Sequence, residues 1–352
     1  LAGLLDDPDS AVPEVGIEPS SCLCHRLVLL LGDASTIRGE THITIYRDLS
    51  DHHGEAGTLN NLGNALREVR RFDEAITAHQ TAATIYHNLS DHHNEAGSST
   101  NLGNTLQGVR RFDEAITTYQ TAIAIYRDLS DHYGEGRALN SLGIALREVG
   151  RFDEAITALQ TAIAIYRDFS DHYGEASALN SLGIALREVG RFDEAITALQ
   201  TAIAIYRDFS DHYSEASALN SLGNALREVR HFDEAITALQ TAATICCNLS
   251  DHYGEGRALN NLGIALQGMH RFDEAIAPHQ TAATIYRNLS DHHGEAGALN
   301  NLGNALREVR RFDEAITAFE QAIALSKSME DNHIRDIAQA NLEDVLRQRA
   351  AS

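Results

Sequence analysis

Histidine, aspartate and glutamate are the residue types in this sequence whose spacing could support chemistry, and they recur along the chain. There are 18 histidines and 50 Asp and Glu residues among 352. His172 follows Asp171 in the stretch SDHYGE, and Asp193 precedes Glu194 in RFDEAI. Imidazoles and carboxylates are common zinc ligands and common general acids and bases. Either chemistry would need several of these side chains to meet at one place in the fold.

One short stretch shows how the chain is organised. RFDEAI begins at Arg71, Arg111, Arg151, Arg191, Arg271 and Arg311, and HFDEAI begins at His231, so the underlying spacing is 40 residues. A strict period of this length is typical of a solenoid, in which each unit buries its apolar face against its neighbours. Asp193 and Glu194 therefore have equivalents in every unit, which is typical of helix capping and not of one asymmetric acid–base site.

The histidines follow the same period, and their spacing does not predict a metal site. They stand at the start of the units, as His52-His53, His92-His93, His132, His172, His212, His252 and His292-His293. Stacked helical layers lie about 10 Å apart, whereas metal–ligand bonds are about 2 Å long. Adjacent turns cannot share a metal, so we predict capping or surface roles and no metal. His79 and His279 replace Leu159 and Leu199, so we expect them to be partly buried packing residues.

Motifs of known enzymes are absent from the sequence. It contains no GxxxxGK phosphate loop, no HExxH, no GxSxG and no glycine-rich dinucleotide fingerprint. We therefore predict that the chain is not an enzyme and needs no cofactor.

Charge and cysteine usage limit the partners and the compartment. The net charge is -22 and Lys327 is the only lysine, whereas nucleic-acid binding needs a clustered basic face. Cys22 and Cys24 lie close together, as do Cys246 and Cys247, and this spacing predicts neither a disulfide framework nor a two-pair zinc site. Neither a signal peptide nor a membrane span is expected. We predict a reducing, cytoplasmic compartment, with Cys246 in the core and Cys247 on the surface.

Two amphipathic helices are expected in each unit. In Glu175 to Val189 the apolar residues recur at steps of three and four, which predicts a first helix. After Gly190 a second apolar stripe, from Ala195 to Phe209, predicts its partner. Ser210-Asp211 would supply capping oxygens for the next first helix. Pro278 falls inside a second helix and should kink or shorten it.

Leu179, Leu182-Gly183 and Leu186, followed by Ala195, Leu199 and Ala202, resemble the tetratricopeptide repeat pattern. The resemblance recurs seven times over about 280 residues, with units of 40 residues instead of 34 and without the usual proline after the second helix. Such longer units are similar to those of kinesin light chains, of Pins-type spindle-orientation adaptors and of bacterial signalling ATPases. HEAT and armadillo arrays have a similar period but not the Leu-Gly and Ala spacing.

The resemblance implies an all-α, right-handed solenoid of antiparallel helix pairs whose first helices line a concave groove. Three rows of residues on the first helices lie off the apolar stripe. They would face the concave groove. The first row is Asn60, Asn140, Asn180, Asn220, Asn260 and Asn300, with Thr100 as the exception; the second is Asn64, Asn104, Ile144, Ile184, Asn224, Ile264 and Asn304; the third is Arg67, Gln107, Arg147, Arg187, Arg227, Gln267 and Arg307.

These rows suggest how a partner could be bound. Asparagine can hydrogen-bond the backbone of an extended peptide, and arginine favours a carboxylate. Ile144 and Ile184 would make the middle of the groove more apolar than its ends. The alternative is structural, with the asparagines bonding the neighbouring repeat and pairs such as Arg187 and Glu188 exposed to solvent.

The repeat boundaries predict four segments. Residues 1–40 are a non-repetitive linker or the edge of a preceding domain, 41–50 a partial repeat, 51–330 seven 40-residue repeats, and 331–352 a C-terminal capping helix. We predict a scaffold that binds another protein or peptide, but neither nucleic acid nor a membrane. Two alternatives remain: a sensor or autoinhibitory tail of a signalling ATPase or transcriptional regulator whose catalytic part lies upstream in the same polypeptide, and a structural or self-associating spacer.

Overall fold

The computed structural model describes residues 42–329 and 331–351, and every regular element within them is an α-helix. A helical segment at 42–48 (α1) comes first, fourteen helices of alternating type follow (α2 to α15), and α16 ends the described chain. The predictions for residues 1–40, including Cys22 and Cys24, lie outside the described residues.

The helices alternate between a type that starts with histidine and a type that starts with phenylalanine. The first helices are α2 (His52–Glu68), α4 (His92–Gly108), α6 (His132–Glu148), α8 (His172–Glu188), α10 (His212–Glu228), α12 (His252–Gly268) and α14 (His292–Glu308). The second helices are α3 (Phe72–Asn88), α5 (Phe112–Asp128), α7 (Phe152–Asp168), α9 (Phe192–Asp208), α11 (Phe232–Asn248), α13 (Phe272–Asn288) and α15 (Phe312–Ser328), and the last helix is α16 (Asn332–Ala351).

An aspartate starts each first helix. The Asp171 carboxylate accepts a hydrogen bond of 2.9 Å from the N–H of Gly174, and that of Asp211 accepts one of 3.1 Å from Ser214. These bonds satisfy N–H groups that have no partner within the helix. The predicted cap is thus confirmed for Asp211, whereas Ser210 adopts a left-handed conformation with φ of 54° and ends the preceding turn.

A left-handed residue also ends each first helix. Gly190, with φ of 76°, donates to Arg187 O at 3.0 Å, and Arg191 donates to Leu186 O at 2.9 Å. The paired bonds satisfy carbonyl groups at the helix end, as in a Schellman motif. Arg230 takes the same conformation, with φ of 62°, in the next unit.

The described residues belong to two compact units, one ending at Ile125 and the other beginning at Tyr126. In the first, Ile43 of α1 is buried together with Leu59 and Leu66 of α2 and with apolar residues of α3. In the second, Leu186 of α8 and Leu199 of α9 are buried. Helices that are adjacent in sequence pack against each other within each unit. The predicted all-α solenoid of stacked helix pairs is confirmed.

First and second helices differ in how they meet their equivalents in the next repeat. In the second unit, α8 packs against both α6 and α10, and α12 packs against both α10 and α14. Among the described second helices of this unit, α7, α9, α11, α13 and α15 make no such contact with one another. The first helices are therefore the side of the stack on which successive repeats come closest.

Two expectations about the second helices were wrong: that Pro278 would shorten its helix and that Phe209 would be buried. Pro278 neither interrupts nor shortens α13, which spans the same 17 residues as α9. A proline removes one N–H and crowds one carbonyl, and packing against α12 and α14 holds the rest of the helix. Phe209 was placed on the buried stripe of α9, but it lies just beyond the helix end and its side chain is exposed.

None of the described helices combines the length and the apolar character needed to cross a bilayer.

Candidate functional site

The residues of the three predicted rows lie on the first helices, and we call the surface that they form on α6, α8, α10, α12 and α14 of the second unit the first-helix face. On α8, Asn180, Ile184 and Arg187 are each half-buried. Residues at this spacing share one side of a helix. The other predicted residues occupy equivalent positions: Asn60, Asn64 and Arg67 on α2; Asn104 on α4; Asn140, Ile144 and Arg147 on α6; Asn220, Asn224 and Arg227 on α10; Asn260 on α12; and Asn300, Asn304 and Arg307 on α14.

The asparagine row makes contacts between repeats. Asn261 Nδ2 donates to Asn220 Oδ1 at 2.9 Å, and Asn301 Nδ2 donates to Asn260 Oδ1 at 3.2 Å. Equivalent bonds join Asn101 to Asn60 at 3.1 Å and Asn341 to Asn300 at 3.0 Å. These four asparagines therefore bond the neighbouring repeat, which was the structural alternative to peptide binding. Their side-chain carbonyl oxygens already accept a hydrogen bond from the next repeat.

The middle of the array lacks this bridge. Where Asn261 and Asn301 supply a donor, the equivalent residues are Ser181 and Ser221. The Oδ1 atoms of Asn140 and Asn180 are buried and accept no hydrogen bond from any described residue. Ser181 and Ser221 instead donate their hydroxyl groups to Ser177 O and Ser217 O, each at 3.1 Å. A shorter side chain that bonds its own helix cannot reach the preceding repeat.

Each arginine of the third row is paired with the glutamate that follows it. Arg187 donates to Glu188, and Arg147 to Glu148. The Arg227–Glu228 pair is 3.0 Å long. Arg307 also lies 3.3 Å from Asp344 of α16. Because the arginine side chains are only 19% to 27% exposed in these four pairs, they present guanidinium groups at fixed positions.

An open cleft lies on the first-helix face between α6 and α8. Its volume is about 340 Å³, and it is lined by Arg147, Glu148, Phe152, Ile184 and Glu188. It combines a guanidinium group and two carboxylates with apolar side chains, so a ligand could contact charged and apolar groups there together.

A further contact joins the end of several second helices to the next first helix. Arg167 Nε of α7 donates to Glu175 Oε1 of α8 at 2.6 Å, and Glu175 is almost fully buried. Arg207 and Glu215 repeat the pair at 2.5 Å. The sequence argument did not include these residues, although a glutamate eight residues after an arginine recurs in most units.

His79 and His279 are fully buried, so the packing role predicted for them is confirmed. Each Nδ1 bonds an asparagine Oδ1, at 3.1 Å for Asn60 and 3.0 Å for Asn260. Burial lowers the pKa of both imidazoles to about 4. They are neutral at pH 7 and contribute to the interior of their repeats.

Tyr166, Tyr206 and Cys246 are also buried packing residues with shifted pKa values. Burial raises the pKa of Tyr166 and of Tyr206 to about 12, with a smaller contribution from the neighbouring Asp171 and Asp211. Burial, assisted by Asp251, raises the pKa of the Cys246 thiol to about 11. Cys246 is buried and Cys247 exposed, as predicted. None of these groups is poised for acid–base or nucleophilic catalysis near neutral pH.

Comparison with known families identifies the repeat. The family model described as tetratricopeptide repeat matches residues 54–128, 95–168, 174–248 and 254–328, well over half of the chain. No match to the sequence is found among curated proteins.

Solved structures share the fold at low sequence identity. BtubC (BKLC) from P. vanneervenii is 17% identical with a TM-score of 0.56, over 62% of this chain and 92% of that one. Rap protein complexed with Competence and Sporulation Factor is 14% identical with a TM-score of 0.55, over 95% and 99%. A variant of a Podosopora anserina putative kinesin light chain with nearly identical TPR-like repeats is 21% identical with a TM-score of 0.50, over 56% and 98%.

Proposed function

Because this chain belongs to the tetratricopeptide repeat family, we propose that it is a scaffold that binds another protein by holding an extended peptide or a helix along its first-helix face. Among solved structures with this fold, the Rap protein is complexed with a factor, which is in keeping with a binding role. Such a role needs an accessible surface and no catalytic group.

The cleft between α6 and α8 is the observation that carries this proposal. Arg147 and Ile184 stand in its walls, so one ligand could reach a guanidinium group and an apolar side chain together. A carboxylate of the partner would compete with Glu148 for Arg147. A bidentate bond from the new carboxylate to the guanidinium group would favour this exchange.

The composition of the face selects the partner. Ile144 and Ile184 lie on successive first helices, and Asn224 holds the equivalent position on the next one. The preferred peptide would therefore place apolar residues over α6 and α8, with an acidic residue close to Arg147 or Arg187. The asparagine row contributes less than the sequence alone suggested, because bonds to the next repeat occupy Asn220, Asn260 and Asn300.

A cytoplasmic location fits this function. Cys246 and Cys247 are both free thiols, and free cysteines are common where thiols are kept reduced.

The test compares two triple variants that change the charge equally. In the first, Arg147→Glu, Arg187→Glu and Arg227→Glu reverse the third row of the first-helix face. The expected result is that capture of a cross-linked partner from lysate falls about tenfold or more, because each variant places a carboxylate where the partner's carboxylate would bind. Cross-linked peptides should map to α6, α8 and α10.

The control triple is Arg151→Glu, Arg191→Glu and Arg271→Glu. These arginines precede second helices and pair with Glu154, Glu194 and Glu274 on exposed surface. Circular dichroism verifies that both triples are folded. If both triples capture the partner as the parent does, the first-helix face is not the binding surface. Equal loss in both would mean that net charge, and not this face, governs capture.

A further inference from the structure

Three side chains with metal-binding groups converge at the connection between α3 and α4. His87 Nδ1 lies 3.0 Å from Glu95 Oε1, and His92 Nδ1 lies 2.9 Å from Glu95 Oε2. The ligand atoms of all three residues lie within 4.8 Å of one another. In the part of the chain that the structure describes, no other three His, Cys, Asp or Glu side chains are grouped so closely.

The other repeats explain why this group is unusual. The residue equivalent to His87 is an arginine in five places, where its guanidinium group lies 2.5 to 2.7 Å from the equivalent glutamate: Arg47 with Glu55, Arg127 with Glu135, Arg167 with Glu175, Arg207 with Glu215, and Arg287 with Glu295. A permanent cation occupies that position in those units. His87 places an imidazole there. When neutral, this imidazole has a nitrogen lone pair that can bind a metal ion.

A second departure from arginine gives an internal comparison. Cys247 takes the equivalent position before His252 and Glu255, so this unit also carries three residue types that bind metals. The ligand atoms of that trio do not come together within the distance that joins His87, His92 and Glu95. Residue type alone therefore does not make the site; the convergence of two imidazoles on one carboxylate does.

We infer that His87, His92 and Glu95 bind a zinc-type divalent transition-metal ion. Two imidazole nitrogens and a carboxylate oxygen are zinc ligands, with bonds of about 2.0 to 2.2 Å. An ion between the three groups would need only small side-chain movements from the present separations. The imidazoles are 65% and 47% exposed, so water can complete a tetrahedral coordination.

The ion would take the structural part that arginine plays elsewhere. His87 lies at the end of α3, whereas His92 and Glu95 lie in the first turn of α4. An ion bound to both helices links a second helix to the first helix of the next repeat, as the Arg167–Glu175 pair does. Since the folded chain holds the three groups close together, binding to it stabilises this junction.

The experiment counts the zinc ions bound per 352-residue chain. Protein stripped with EDTA is dialysed against buffered free zinc, and the metal is measured by mass spectrometry in the parent, in His87→Arg and in Arg167→His. His87→Arg restores the arginine found in five other places, so it should fold. Arg167→His creates the same trio with His172 and Glu175. The comparison between variants cancels zinc bound by other histidines and cysteines of the chain.

The expected result is that His87→Arg binds one zinc fewer than the parent and Arg167→His one more. Zinc should also raise the melting temperature of the parent more than that of His87→Arg. An equal zinc count in the parent and a folded His87→Arg would overturn the inference. Should His87→Arg lose helicity, Arg167→His decides: a gain of one ion supports the site, and no gain overturns it.

Discussion

One buried position of the second helix accepts several residue types. Leu159, Leu199 and Leu239 fill it in three repeats, and His279 fills it in another, all with no exposed surface. Leucine makes only apolar contacts there. At His279 the Nε2 atom is buried without a hydrogen-bond partner, while Nδ1 bonds Asn260.

Replacing His279 by leucine should make the protein more resistant to acid. Burial lowers the folded-state pKa of His279 from 6.5 to about 4, so between these pH values the unfolded chain binds more protons than the folded one. The stability due to the neutral imidazole is present above pH 6.5 and is lost as the pH falls towards 4, by up to about 1.4 kcal/mol per pH unit. Urea denaturation at pH 7.5 and 5 measures the free energy of unfolding. The value for His279→Leu relative to the parent should be higher at pH 5 than at pH 7.5.

The reciprocal variant is Leu239→His, which should add the same pH dependence to a repeat that lacks it. If the free energy of unfolding changes between pH 7.5 and 5 by the same amount in the parent and in His279→Leu, the imidazole is protonated in the folded state and this account of the site is wrong.

Single residues also mark the limit of what the sequence predicted. The burial of His79 and His279 followed from their equivalence to leucine. The partners of the asparagine row did not, because the donor to Asn220 lies 41 residues further along, at Asn261. Only the packed distance between two first helices shows that this donor reaches its acceptor and that the serines do not. The sequence argument did not consider His87, because it compared histidines of adjacent turns and not of one connection.

At the scale of the helix, close approach is set by a glycine facing that same buried position. A Cβ atom on Gly183 of α8 would lie 2.5 Å from Leu199 Cγ of α9. Gly297 of α14 faces open space, with no atom within 4 Å of such a Cβ. The two glycines thus have different roles: Gly183 permits helix contact, whereas Gly297 only weakens its helix.

The same substitution should therefore have opposite effects at these two glycines. Gly183→Ala forces apart α8 and α9, and overpacking of this kind costs about 1 to 3 kcal/mol. Gly297→Ala should stabilise by about 0.5 to 1 kcal/mol, since alanine favours the helix. Urea denaturation of both variants measures the difference. Stabilisation by Gly183→Ala would mean that the helices separate without penalty.

The helices were more predictable than their ends. Apolar steps of three and four identified the first and second helices because stacking keeps one face of each buried. The apolar stripe counted from Glu175 covers only part of α8, which the structure starts at His172, directly after the capping Asp171. Pro278 was misjudged because its local cost is outweighed by tertiary contacts of α13 that a single-helix argument does not contain.

At the scale of the whole molecule, repetition makes the units of the array interchangeable. Residues 151–190 and 191–230 differ only at Gly174/Ser214, Ile184/Asn224 and Gly190/Arg230. Removing 191–230 would place α11 after α8. The sequence at the start of α11, HFDEAI, differs from that at the start of α9, RFDEAI, only in that His231 replaces Arg191. The new contact between repeats would bring Asn261 next to Asn180, whose Oδ1 has no donor from the described residues.

A chain lacking residues 191–230 should therefore fold, with unchanged helicity per residue. Its urea m-value should fall by about one seventh, because one repeat less surface is exposed on unfolding. The control deletion, 191–210, removes α9 alone and joins two first helices, whose apolar faces then lack a partner. Equal stability of the two deletions would contradict the repeat as the folding unit. Circular dichroism and urea titration give both quantities.

The short connections described between the helices also determine how such a chain can be made. Because α11 begins with the same eleven residues as α9, FDEAITALQTA, α8 would fit the start of α11 about as well as it fits that of α9, and this stretch offers little to tell the two pairings apart. The three residues from Val189 to Arg191 leave α9 closest, and closing a short loop costs less entropy than closing a long one. As a nascent chain leaves the ribosome, α9 also emerges before α11 exists. Order of synthesis thus supplies the pairing information that near-identical repeats have lost.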